Sequence, residues 1–336
     1  MIAICCIVLL LACVKESGFG KQGLDNPEIA IAIPEGFPPL NPAVAQNRPT
    51  KFGVALGERL FHETRLSGNN TVSCASCHQP SKAFADNLPQ AVGIHGRVGL
   101  RNVPPLQNLA FMKFYNWDGN KPSLESQALV PIITHEEMNS SILDVIGKLQ
   151  TDPEYRHLFA QTFGDEGITG DRIYRSLAQY QYTLISADSK YDKVMRGEGL
   201  YFTASEARGY QIFQQKCASC HAGPLFTDQS FRNIGFPLNP SSEEAGRARV
   251  TGNITDLSSF RVPSLRNAAL TAPYGSFGQF ETLQAVLDYL DEGVLESDNL
   301  DPILKVNGNR IPLSPQEKVD IISFINTLTD SSFIAR

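Results

Sequence analysis

The pentapeptide Cys-Ala-Ser-Cys-His occurs twice in the chain, at 74–78 and again at 217–221. Two cysteines three positions apart can form thioethers with the two vinyl groups of one haem, and the histidine that follows is then placed to coordinate the iron. With this chain's cysteine and histidine content, one such motif arises by chance in roughly one of several hundred sequences, and two far more rarely. A zinc site would want its Cys-x-x-Cys pairs together in one small module. A redox dithiol has no need of a following histidine, twice over. The chain is therefore read as carrying two covalently bound haem c groups, one on Cys74, Cys77 and His78, the other on Cys217, Cys220 and His221. Thioether attachment also places the mature protein outside the cytoplasm.

The first residues agree with that compartment. MIAICCIVLLLACVK is an apolar run of about a dozen positions, too short to span a bilayer, and reads as the core of an export signal. Leu10-Leu11-Ala12-Cys13 resembles a bacterial lipobox, although no positive charge precedes it and Leu11 is bulkier than usual. The expectation is a signal peptide over 1–13, a lipid on Cys13 as the only membrane attachment, a tether over 14–36 and a periplasmic location. Of seven cysteines, Cys5 and Cys6 leave with the leader and Cys13 carries lipid. The other four belong to the two motifs, so none remains for a disulfide.

A length of 336 residues with 42% hydrophobic content is enough for two domains with real cores. The net charge of -6 argues against nucleic acid, whose phosphates need a basic surface, and is compatible with a basic redox partner. An apolar pattern at Phe52, Leu56, Leu60 and Phe61 predicts a helix leading to the first motif. From Phe84 to Asp118, Gly93, Gly96, Gly99, Pro104 and Pro105 interrupt any regular element, and long loops in compact domains are usually functional. Helical spacing returns at Ile173, Leu177, Tyr180 and Leu184. Thr203 with Glu206 makes a capping box before the second motif. Leu283, Val286, Leu287 and Leu290 form a stripe closed by Gly293. Ser314-Pro315-x-Glu317 opens a last helix carrying Val319, Ile322, Ile325 and Leu328. No run alternates with period two. The expected fold is mainly α: two cytochrome c-like haem domains with long loops, packed face to face, over 37–196 and 197–336.

Two haems alone are compatible with simple electron transfer. Chemistry is suggested by Trp117, Gln127, Glu137 and His95, which gather in and after the Gly-rich loop. Peroxide cleavage at a haem needs a group that moves a proton between the oxygens and a polar group that steadies the developing charge.

At these residues the chain resembles the bacterial di-haem cytochrome c peroxidase family, which includes the MauG-type enzymes, over essentially all of 37–330. LGERLFHETRLSGNNTVSCASCHQPSKAFAD (56–86) is similar to the family's first haem segment, and RNVPPLQN (101–108) and YNWDG (115–119) to its distal loop and inter-haem tryptophan. SLESQALVPIITHEEM (123–138) is similar to the segment bearing a distal Gln, Pro and Glu, with Trp117 standing 10, 14 and 20 positions before Gln127, Pro131 and Glu137. CASCHAGPLFTDQSFRNIG (217–235) and FRVPSLRNAALTAPY (260–274) are similar to the second haem domain.

The resemblance implies that His78 is the proximal ligand of a peroxidatic haem and His221 that of an electron-accepting haem. Trp117 then conducts between them, and Glu137, as acid and base, works with Gln127 at the distal face. Asn102, with the carbonyls of Thr271 and Pro273, resembles the family's calcium site, and hard oxygen ligands suit that ion. His95 sits where several members carry a distal histidine on the resting iron; a loop-surface histidine is the alternative. Two features depart from the pattern. Gly275-Ser276-Phe277-Gly278 replaces the usual His-Asp-Gly, and no methionine follows Met195 to cap the second iron. MauG-type members use a tyrosine there. Tyr289 is the candidate, although the ligand position itself falls on Leu290, one residue or about 100° of helix away.

The implied activity is reduction of hydrogen peroxide to water with electrons from a small cytochrome c or cupredoxin. A MauG-like oxidase that modifies a protein side chain is the alternative the missing methionine favours, and a bare electron carrier the one that Trp117, Gln127 and Glu137 oppose. A homodimer is open to such a chain.

Overall fold

Among the described residues, eight helices of nine residues or more begin on a Ser, Thr or Asp whose side chain accepts a backbone N–H of the first turn. Each such cap is worth about 1 kcal/mol, and together they say where the chain turns helical. In a computed structural model, which describes residues 25–240 and 244–336, these helices are α1 (Lys51–Phe61), α2 (Leu124–Ile133), α3 (Ile142–Gln150), α4 (Pro153–Phe163), α5 (Gly170–Tyr182), α6 (Ala204–Lys216), α7 (Leu283–Glu292) and α8 (Pro315–Asn326). The expectations for the leader and for Cys13 lie outside the described residues. Among the described residues the sheet content is one antiparallel pair of two-residue strands, β1 (Phe231–Arg232) and β2 (Phe260–Arg261). The fold is mainly α, and no helix among these residues is long and apolar enough to cross a membrane.

Both anticipated capping boxes form, Thr203 with Glu206 and Ser314 with Glu317. The apolar stripes at Leu184 and Leu328 run past the helix ends, because α5 and α8 stop at threonines. The Thr183 hydroxyl donates to the Tyr180 carbonyl and that of Thr327 to Phe324, using up acceptors of the last turn. Leu184 and Leu328 are buried all the same.

α1 crosses α5 so closely that a Cβ on Gly57 would run into the Ser176 carbonyl, and α6 crosses α8 with Gly209 against the Asp320 carbonyl. The first crossing belongs to a continuous core from Val44 to Leu184. The second belongs to smaller clusters around Phe213, Phe226 and Phe324 and around Leu287 and Ile321. A polar seam joins the two. Arg266, fully buried, makes two hydrogen bonds to Asp192 at 2.8 and 2.9 Å, donates to the Pro224 carbonyl, and receives Gln107 on its own carbonyl. The chain then returns to the first core, where Phe333 lies 5.3 Å from Phe84, ring to ring.

Candidate functional sites in two cavities

Cys74–Cys77 is a single helical turn that follows Ser73, so the His78 amide donates to the Cys74 carbonyl at 2.9 Å and the ring is set beside both thiols. These side chains line a cavity of about 310 Å³. His78 Nδ1 is 2.8 Å from the Phe84 carbonyl, an acceptor, so Nδ1 carries the proton and Nε2 keeps its lone pair for a metal. Burial pulls the His78 pKa down to about 4, which keeps the ring neutral, as a ligand must be. No disulfide joins the two cysteines, and burial pushes the thiols of Cys74 and Cys77 up to about 12.

The far wall comes from α2 and the turn after it. Gln127, Pro131 and Thr134 project from one face, and Gln127 Nε2 reaches Asn116 Oδ1 at 3.4 Å. Glu137 sits in the turn over 134–138, its amide held by the Thr134 carbonyl, its own carbonyl taken by Ile94 N–H. Burial, followed by the charge of Glu136, raises its carboxyl to about 7. Gly93 backs this turn, since a Cβ there would meet the carbonyls of Glu136 and Glu137. His95 does not join it. It is exposed at φ 57 on the outer side of the loop and does not line the cavity, so its expected place on the iron gives way here to the loop-surface alternative.

The second cavity, about 260 Å³, has Cys217, Cys220 and His221 on one side and Leu283, Val286, Leu287 and Leu290 of α7 on the other. His221 Nδ1 lies 3.1 Å from both the Phe226 and the Pro263 carbonyls, and burial again lowers its pKa. Tyr289 is not in the wall. Its hydroxyl donates to the Gly235 carbonyl at 3.0 Å and its ring packs on Phe236 and Phe280, so the expectation of a tyrosine ligand is corrected: Leu290 faces the cavity instead. No methionine lines it either. In each cavity, paired thiols, an imidazole with Nε2 free and apolar walls fit a covalently attached haem.

Asn102, Pro105, Trp117 and Arg261 line both cavities and form the partition between them. Trp117 is fixed at two points: its indole N–H donates to the Asn102 carbonyl at 2.9 Å, and its carbonyl accepts Arg261 N–H at 2.8 Å. Of the three residues expected at calcium, Asn102 donates its side-chain amide to the Pro273 carbonyl at 3.4 Å, and Thr271 lines the same cavity. Behind the partition, burial pushes the Asp118 carboxyl up, but Arg101 at 3.1 Å and Arg249 at 2.5 Å more than offset it. Sequence reasoning assigned no role to Arg261, Arg101, Arg249 or Asp118. Arg261 within FRVPSLRNAALTAPY, Arg101 within RNVPPLQN and Asp118 within YNWDG lay in blocks already singled out, whereas Arg249 did not.

The family model for di-haem cytochrome c peroxidase matches residues 51–199. The methylamine utilization protein MauG of Methylorubrum extorquens is 37% identical over 92% of this chain and 86% of its own length. The cytochrome c551 peroxidase of Nitrosomonas europaea is 32% identical over 87% and 84% respectively. A crystal structure of a MauG-like protein associated with microbial copper homeostasis superposes with a TM-score of 0.81 at 30% identity, covering 91% of this chain and 97% of that one. Such agreement along nearly the whole length, on a chain that sets two Cys-x-x-Cys-His motifs in two cavities, makes it a member of the di-haem cytochrome c peroxidase family, to which the MauG proteins also belong.

Proposed function

We propose that the protein reduces hydrogen peroxide to water with electrons from a small periplasmic cytochrome c or cupredoxin. The observation that carries the reading is Glu137, a carboxyl lifted to about 7 in the wall of the cavity that holds Cys74, Cys77 and His78. A group that titrates near neutrality can both take a proton and return it, which is what peroxide needs at its two oxygens. The haem supplies electron transfer at iron when bound. Glu137 takes the proton from the arriving peroxide oxygen and delivers it to the departing one, so that water leaves rather than hydroxide. Gln127, steered by Asn116, offers its amide to the developing charge. Trp117, clamped at both its indole and its carbonyl, gives the two cavities a short aromatic connection. His78 and His221 hold their rings through carbonyl bonds, so each presents Nε2 in one orientation.

We extend the same reading to two haem units over 37–196 and 197–336, and to a hard cation at Asn102, Thr271 and Pro273. A lowered melting temperature on chelation, restored by calcium alone, checks the cation. A MauG-like oxidation of a protein side chain is the second reading, favoured by the absence of a methionine from the second cavity.

The test is peroxide-dependent oxidation of a reduced small cytochrome by the haem-loaded protein. Glu137→Gln is expected to keep both haems and lower turnover about 10²–10⁴-fold, the usual worth of acid–base help. Activity within a factor of three of wild type rejects the role given to Glu137.

A further inference from the structure

Arg261 stands out among the partition residues because no carboxylate among the described residues answers its charge. Its Nε is buried without a hydrogen-bond partner, and no carboxylate acts on it. The other cations near by are taken: Arg101 and Arg249 by Asp118, Arg232 by Asp228 and Asp301. Among the described residues Tyr115 is the one titratable group that bears on Arg261, and its phenol, raised far above its ordinary value by burial, donates to the Leu109 carbonyl instead. Burial alone pulls the guanidinium down to about 10, so it remains charged at neutral pH. An unpaired buried cation costs several kcal/mol, and such groups are ordinarily found with an anion. The backbone that carries the side chain is fixed at the partition: Arg261 pairs with Phe231 across the β1–β2 ribbon and donates its amide to the Trp117 carbonyl. Arg261 lines both cavities, and a guanidinium is a planar fork of donors, a geometry matched to a carboxylate.

We propose that Arg261 binds a propionate carboxylate of a covalently attached haem at the partition between the two cavities, and through that pair sets the reduction potential of the haem concerned. The proposal rests on the di-haem reading above. A positive charge held beside the porphyrin favours the ferrous over the ferric state. Taking it away should lower the potential, while Arg101, Arg249 and Arg232 stay with their own carboxylates.

The test is spectroelectrochemical titration of the fully loaded protein, preceded by a pyridine haemochrome count. Fewer than two haems per wild-type chain means that the di-haem reading fails, whatever Arg261 does. With two present, Arg261→Met is expected to shift the ferric-to-ferrous ratio of one haem about tenfold towards ferric, a fall of ~59 mV for a one-electron couple. Which of the two absorption signatures moves tells whether the propionate comes from the Cys74–Cys77 haem or the Cys217–Cys220 haem. Arg261→Lys, which keeps the charge, is expected to stay within a factor of three of wild type. Potentials unchanged within a factor of two in Arg261→Met, or shifted equally in Arg261→Lys, overturn the proposal. If the methionine variant does not mature, a crystal structure of the loaded wild type decides: every propionate oxygen more than about 4 Å from the guanidinium overturns it, and one within hydrogen-bond distance supports it.

Discussion

Ionising Glu137 in the folded chain leaves a carboxylate in a cavity wall with Glu136 as its neighbour, and both effects resist the charge. A carboxyl raised in this way favours the fold while it is protonated. Its contribution is complete below the ordinary value of 4.5 and drains away as pH climbs through about 7. Glu137→Gln carries no such charge. The melting temperature of wild type should therefore fall relative to that variant between pH 5 and 8, by an amount corresponding to at most about 1–2 kcal/mol once its partial exposure is allowed for. A difference that stays flat across this range, followed by calorimetry, would place the Glu137 pKa outside it. At this scale the cysteines and histidines were legible because a haem fixes their spacing within five residues. Arg261 and Asp118 were not, because what makes them unusual is the presence or absence of charged partners that only the folded chain brings near.

Helix starts were the most legible elements, since a cap and its target lie within one turn of each other. Helix ends were less so: Thr183 and Thr327 stop their helices with hydroxyls that no apolar stripe reports. α3 and α4 were passed over, and α2 carries Pro131 inside it, which breaks the local rule. Side-chain direction was the hardest to read. Tyr289 and Leu290 are adjacent on α7, and only the Gly235 carbonyl and the Phe236–Phe280 pair decide that the tyrosine points away from the cavity. The loop over 84–118 carries no helix longer than one turn, yet it is held firmly at Gly93, whose hydrogen atoms face the Glu136 and Glu137 carbonyls. Gly93→Ala is expected to push the Glu137 turn out of position, costing about 1–3 kcal/mol of stability and most peroxide turnover. Turnover preserved with full stability would mean that the loop yields without moving Glu137.

At the scale of the whole molecule, the pair Arg266–Asp192 ties the segment after α5 to the loop behind the second motif, and Gln107 brings in the first core. Asp192→Asn leaves a fully buried guanidinium without its counter-charge. Breaking one side of such a pair typically costs 3–5 kcal/mol, and Arg266→Met in the same background should recover part of that loss, because it removes the stranded charge. Denaturant midpoints of the three forms check this, and a single variant as stable as wild type would show that the seam tolerates an open charge.

Phe333 has one more consequence, and it concerns order in time. His78 takes its orientation from the Phe84 carbonyl, and the Phe84 ring is completed on one side by Phe333, some 250 residues further on. During synthesis the first motif therefore emerges long before the residue that closes the wall behind it. The first half of the chain must wait, with an apolar seat open, until the last-made part of the second half arrives to fill it.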